Sequence, residues 1–230
     1  MARAVRSKAP VERGRFITFE GGEGSGKSTQ IRILAERLRG EGIRNLVTRE
    51  PGGTPGAEII RHLVLSGMGK LIGSDLESLL FAAARDDHVH RVILPALARG
   101  EWVLCDRFAD STKVYQGKVG QVAPELLNAL ERVTIGDLKP DLTLVLDVPV
   151  EVGLKRANLR RGAGEADRFE AEGIAFHRQL NEAFRQIVAE NPGRCVLIDA
   201  DADAETVSAR VWAAVQERLS VARQDKGSAA

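Results

Sequence analysis

Lys27 and Ser28 close the run Gly21-Gly22-Glu23-Gly24-Ser25-Gly26-Lys27-Ser28, which places an ammonium and a hydroxyl at the end of a glycine-rich stretch. The spacing Gly-x-x-x-x-Gly-Lys-Ser is a Walker A loop, and each residue type has a physical task. Glycines accept positive φ and lack a Cβ, so the backbone can wrap a phosphate with its N–H groups and the following helix N-terminus facing the anion. In this pattern Lys27 reaches the β- and γ-phosphates of a nucleotide, and the Ser28 hydroxyl ligates the accompanying Mg2+. Gly21 to Thr29 is therefore the nucleotide-binding run.

A second group suited to phosphate chemistry is Asp106 with Arg107. Leu104-Cys105-Asp106 is an apolar run ending in a carboxylate, the Walker B pattern that positions hydrated Mg2+. Arg107 adds a planar fork for another phosphate. Leu146-Asp147 fits the same pattern, but no arginine follows it. A third group is the basic stretch from Leu154 to Glu170, where Arg156, Arg160 and Arg161 precede Gly162 and Gly164. It reads as a flap, about 156–168, that presents arginine to developing phosphoryl charge, or as a solvated basic face.

These groups need a scaffold that gathers strand ends. Phe16 to Glu20, Asn45 to Arg49, Trp102 to Asp106, Asp141 to Val148 and Cys195 to Asp199 read as strands. Helical periodicity falls between them: after Lys27, over 57–65, over 75–99 as one long helix, and over 124–133, 150–161, 170–190 and 204–219. The long helix shows an apolar stripe of Leu76, Leu79, Leu80, Ala83, Val89, Ile93, Leu94 and Leu97, and Pro95 is expected to bend its last turns. Neither His88 nor His90 is assigned a role. Alternating strands and helices predict an α/β three-layer fold around a five-stranded parallel sheet, with the ligand at the strands' carboxyl ends. Glu50-Pro51-Gly52-Gly53-Thr54-Pro55-Gly56 would lie at that edge.

The 230 residues suit one domain, 14–222, with polar tails at 1–13 and 223–230. A balance of 33 basic and 32 acidic residues argues against a nucleic-acid-coating protein. No apolar run reaches ~18 residues and the basic N-terminus lacks an apolar segment, so a soluble, cytoplasmic protein is expected. Cys105 and Cys195 sit in apolar strands and read as buried free thiols.

Several stretches together resemble bacterial thymidylate kinase: Phe16 to Ser28, Thr48-Arg49-Glu50-Pro51-Gly52-Gly53-Thr54, Leu80 to Arg85, Asp106-Arg107-Phe108, Tyr115-Gln116-Gly117, Pro140 to Thr143 and Asp167-Arg168-Phe169-Glu170. The resemblance implies a homodimeric kinase that transfers the γ-phosphoryl of Mg-ATP to thymidine 5'-monophosphate (dTMP). It implies roles as well. Glu23 contacts the sugar 3'-hydroxyl, Phe81 stacks on thymine, Arg85 bonds the base's carbonyl edge, and Arg107 grips the monophosphate. Thr112 contacts the base, Tyr115 crowds the sugar 2' position, and Glu50 and Pro51 border the acceptor through a cis bond. Asp199 to Asp203 corresponds to the loop against adenine. One group of the family carries its catalytic arginine inside the phosphate loop, where this chain has Gly24. The chain resembles the other group, which carries that arginine on the flap. The wider spacing here leaves Arg161, then Arg160, as the candidates. Another P-loop kinase, or a nucleotide-dependent switch or DNA-associated ATPase, is the competing reading.

Overall fold

The computed structural model describes residues 12–66, 71–162 and 167–219. Five strands, β1 (Phe16–Glu20), β2 (Asn45–Arg49), β3 (Trp102–Asp106), β4 (Leu142–Asp147) and β5 (Cys195–Asp199), form one parallel sheet in the order β2-β3-β1-β4-β5. β1 sits at the centre, with Phe19 opposite Asp106 on one side and Leu144 on the other. The chain moves outward from β1 first to one side and later to the other. The switch point, where such sheets bind ligands, lies at the carboxyl end of β1.

All five β1 residues are buried, as a strand covered on both faces requires. On one face α1 (Lys27–Gly40) and α9 (Ala204–Leu219) pack Ile31, Leu34, Leu38, Val211 and Trp212 against Ile17, Phe19 and Leu144. The opposite face carries two apolar clusters, one around Phe16, Val89, Ile93 and Phe108 and one around Val114, Tyr115, Leu180 and Phe184. Both cysteines are buried and free.

The remaining helices are α2 (Pro55–Leu65), α3 (Ser74–His88), α4 (Leu94–Ala98), α5 (Ala109–Thr112), which runs on into a π-helix, Lys113–Val119, then α6 (Pro124–Thr134), α7 (Val150–Arg161) and α8 (Ile174–Glu190). The expected long helix is α3 and α4 joined by a wide π turn, Val89–Ile93, in which the Leu94 amide bonds the Val89 carbonyl. The bend expected at Pro95 appears as this widened turn just before it, because proline brings no N–H to continue the regular ladder.

The stripe expected on that helix is corrected at four positions. Leu76, Leu79, Ala83 and Leu94 are exposed, whereas Glu77, Ser78, Arg85 and His88 are buried. The inward face of α3 borders a polar cavity, so polar side chains with partners replace apolar packing there. α8 also starts later than the expected 170, because the Asp167 carboxylate accepts from the Phe169 and Glu170 amides, both at 2.9 Å. That local turn competes with helix, and Gly173 precedes the first turn of α8.

Of the expected N-terminal tail, residues 12 and 13 are described, and Arg13 pairs with Asp141 at 3.2 Å. The expected tail 223–230 and flap positions 163–166 lie outside the described residues.

Candidate functional site

At the end of β1 the chain turns through Gly21 and Gly24, at φ 129° and 66°, into α1. Both are left-handed conformations in which a Cβ is strained. At Gly24 a Cβ would also collide with the Gly153 carbonyl of α7, so the loop as packed has no room for a side chain there.

Lys27 is buried, and its Nζ donates to the Gly21 and Gly22 carbonyls at 3.0 and 2.9 Å. Burial, helped by nearby Arg107, pushes the Lys27 ammonium down to about 8 against the opposing pull of Glu23, Asp106 and Glu20. The ammonium is thus held ready inside the loop and gains most from an arriving anion. At the next residue, Ser28 Oγ donates to Asp106 Oδ2 at 2.8 Å, which joins the hydroxyl of the loop to the carboxylate ending β3. Asp147 instead pairs with Arg185 at 3.0 Å.

Arg107 holds φ 68°, a rare conformation for a side chain of this size. Its neighbours hold it there. Glu20, fully buried at the end of β1, accepts from the Phe108 amide at 2.8 Å and from Ser111 Oγ at 2.6 Å. Burial, then the nearby Asp110 carboxylate, pushes Glu20 up to about 7. The Arg107 guanidinium meets Glu23 Oε1 at 2.7 Å and lies 5.1 Å from the centre of the Tyr115 ring. Burial would raise the Glu23 carboxyl, but Arg107 and then Lys27 hold it below the ordinary range.

A cavity of about 370 Å³ runs from this loop toward α3. Its far end holds Phe81, Arg85, Thr112 and Gln116. Arg85 Nε donates to Glu50 Oε2 at 2.7 Å and Nη1 to Thr112 Oγ1 at 3.1 Å. The other Glu50 oxygen faces His88 Nδ1 at 3.1 Å, and His88 Nε2 lies 2.7 Å from Thr48 Oγ1. Glu50 therefore anchors Arg85, and His88, given no role from sequence, backs that anchor. The Glu50–Pro51 bond is cis and Pro51 lines the cavity.

The three arginines of α7 separate. Arg156 donates to the carbonyls of Ala200 and Ala202 at 3.0 and 3.3 Å, next to the 199–203 loop. Arg160 and Arg161 share Glu170, each at 3.0 Å. Arg160 lines the cavity with Lys27 and Arg107.

Sequence reasoning passed over Gln116, Ser111, Arg61 and Glu170, which also line the cavity. Gln116 follows Thr112 by four residues, and that spacing marks a shared face. For the others no local signal exists.

The donors present suit Mg2+. Among the described residues no three His, Cys, Asp or Glu side chains form a cage. Mg2+ bound with a nucleotide takes one or two protein oxygens beside phosphates and water, and Ser28 Oγ and Asp106 Oδ2, 2.8 Å apart, are two oxygens of the suitable kind.

A family model described as "Thymidylate kinase" matches residues 19–211. The chain is 73% identical over 218 residues to a protein of Nitrobacter winogradskyi named "Thymidylate kinase", covering 95% of this chain and 94% of that one. It is 72% identical over 208 residues to a protein of the same name from Rhodopseudomonas palustris, covering 90% of each. A third, from a Bradyrhizobium species and also named "Thymidylate kinase", is 68% identical over 219 residues, covering 95% of this chain and 96% of that one.

Proposed function

The chain belongs to the thymidylate kinase family, and on that premise we propose how the cavity divides the transfer of the ATP γ-phosphoryl to dTMP among its residues. The activity is that of a nucleoside monophosphate kinase. The observation that carries the reading is a single cavity with the phosphate loop, Arg107 and Glu23 at one end and Phe81 with an anchored Arg85 at the other.

ATP lies with its phosphates in the loop, where Gly21 to Thr29 present backbone N–H groups and Lys27 trades its loop carbonyls for phosphate oxygens. dTMP lies with its base between Phe81, Arg85 and Thr112, its sugar beside Tyr115 and Glu23, and its phosphate on Arg107. The Arg107–Glu23 pair opens as this happens, the guanidinium turning to phosphate and the carboxylate to the 3'-hydroxyl. A dTMP phosphate oxygen then attacks the γ-phosphorus in line. One P–O bond forms as the bond to the β-phosphate oxygen breaks, giving dTDP and ADP. No covalent intermediate is needed, so positioning and charge stabilisation do the work.

Lys27 and Arg107 carry charge toward the equatorial oxygens, and we assign the flap arginine to Arg160 ahead of Arg161 because Arg160 lines the cavity. Ser28 and Asp106 would hold Mg2+, which would supply positive charge against the nucleotide phosphates. Ile59, Leu76 and Leu79 lie exposed on α2 and α3. This apolar face is assigned to a homodimer contact with a second copy. No helix among the described residues is long and apolar enough to cross a membrane, and we place the enzyme in the cytoplasm, acting without nucleic acid.

The test is ADP production from ATP with dTMP, uridylate, cytidylate, thymidine, DNA or no acceptor. The expected result is turnover that requires dTMP. Preference for another acceptor overturns the substrate, and turnover with ATP alone or with DNA overturns the reaction.

A further inference from the structure

Behind the base end of the cavity, off its lining and against Gln116, lies a buried carboxylate that the roles above leave unused. Glu77, in the first turn of α3, is 3% exposed. It accepts from Gln116 Nε2 at 2.7 Å and from the Arg168 guanidinium. Isolated, such a carboxylate would be costly to bury; paired with a guanidinium it is an ionised group that accepts and never donates.

That pairing dictates how the Gln116 amide is oriented. Its nitrogen must face Glu77, and its oxygen is the end left for the cavity, which Gln116 lines beside Arg85 and Thr112. Arg85 has already spent Nε on Glu50 and Nη1 on Thr112, so Nη2 is the nitrogen those two bonds leave over. The base end then offers one acceptor and one donor from opposite elements.

We propose that Glu77 is a positioning residue for acceptor-base specificity, which holds the Gln116 amide oxygen toward the base by taking the amide nitrogen. This rests on the thymidylate reading of the cavity. Thymine carries an N3–H donor next to a 4-carbonyl acceptor, the complement of amide oxygen and guanidinium. Cytosine reverses both groups, presenting a lone pair at N3 and an amino group at position 4. In a dry cavity a mismatched polar pair leaves both partners unbonded, and that is where large discrimination comes from.

The experiment compares kcat/KM for dTMP and deoxycytidine monophosphate (dCMP) in wild type, Glu77→Gln, Gln116→Ala and the double variant, with Tm recorded for each. A glutamine at 77 can show either amide end to Gln116, so the orientation is no longer fixed. The dTMP-to-dCMP ratio is expected to fall at least ~10-fold in Glu77→Gln, within the range one polar contact commands. The change should sit in the KM of the acceptor, with the KM of ATP preserved. In the Gln116→Ala background, Glu77→Gln should move the ratio by less than about twofold, because its effect passes through Gln116.

A Glu77→Gln enzyme that keeps the wild-type ratio overturns the proposal, as does an equal effect without Gln116. Should Glu77→Gln not fold, Gln116→Met takes its place: a ~10-fold fall in the ratio is expected, and an unchanged ratio overturns the proposal. A wild-type ratio near one would instead strike the thymidylate reading, and the proposal with it.

Discussion

The two ends of the cavity are built in different ways. At the end proposed for phosphate the groups come from contiguous residues and backbone: Gly21 to Ser28 form one glycine-rich turn, and Asp106 and Arg107 arrive from the strand paired with β1. At the base end it comes from side chains brought together over long sequence separations. Arg85 of α3 is held by Glu50, which follows β2, while Gln116 is held by Glu77. Phosphate is recognised by charge and N–H groups, which a backbone can supply anywhere. A base is recognised by a donor and acceptor pattern, which needs oriented side chains and therefore a second layer behind them.

This contrast predicts different kinetic losses at the two ends. The largest is expected for Lys27→Ala, where turnover should fall by ~1000-fold or more with far-ultraviolet circular dichroism unchanged, since the ammonium meets charge that builds during transfer. Near-normal turnover would remove the phosphate end from the mechanism. Next comes Arg85→Ala, for which kcat/KM with dTMP should drop about 100-fold, mostly through KM, as for a group that binds ground state and transition state alike. A pure kcat effect would erase the distinction between the ends.

A smaller effect should appear in the pH dependence of ATP binding. The free-enzyme Lys27 loses its proton near pH 8, below the lysine range. The ammonium form that attracts phosphate is present below that pH, so ATP affinity should weaken as pH rises through about 8, and binding there should take up protons. Calorimetry in buffers of different ionisation enthalpy reads the uptake, which should vanish in Lys27→Ala.

The smallest effect concerns Glu20. Its folded value of about 7 lies above the ordinary carboxyl value of 4.5, so between those values the native state binds more protons than the unfolded chain. Glu20 should therefore make stability fall as pH rises from 4.5 through 7. The Tm of wild type against Glu20→Gln across that window checks the slope, which should be flatter in the variant.

How far the sequence could be read follows the same contrast. Strand limits were legible because continuous apolar runs ended in charged or glycine residues, as at Glu20, Arg49, Asp106 and Asp199. The phosphate end was legible because its parts are adjacent in sequence or end a strand next to β1. At the base end, Phe81 and Arg85 could be named only through resemblance, since four-residue spacing on a helix also describes core packing. Leu76 and Leu79 read as core but lie exposed, while Glu77, outside the apolar stripe, and His88, given no role, lie buried. Periodicity reports polarity, and on α3 the polar face looks inward because it borders a cavity. The preference for Arg160 over Arg161 was equally hidden, because both pair with Glu170 and only Arg160 lines the cavity.

The division of labour between the two ends is tested most directly by calorimetric titration of dTMP into Lys27→Ala and Arg85→Ala in the absence of ATP. The account predicts a Kd within about threefold of wild type for Lys27→Ala and about 100-fold weaker for Arg85→Ala, a difference of ~2.7 kcal/mol. Equal losses in the two variants, or the reverse order, would contradict it.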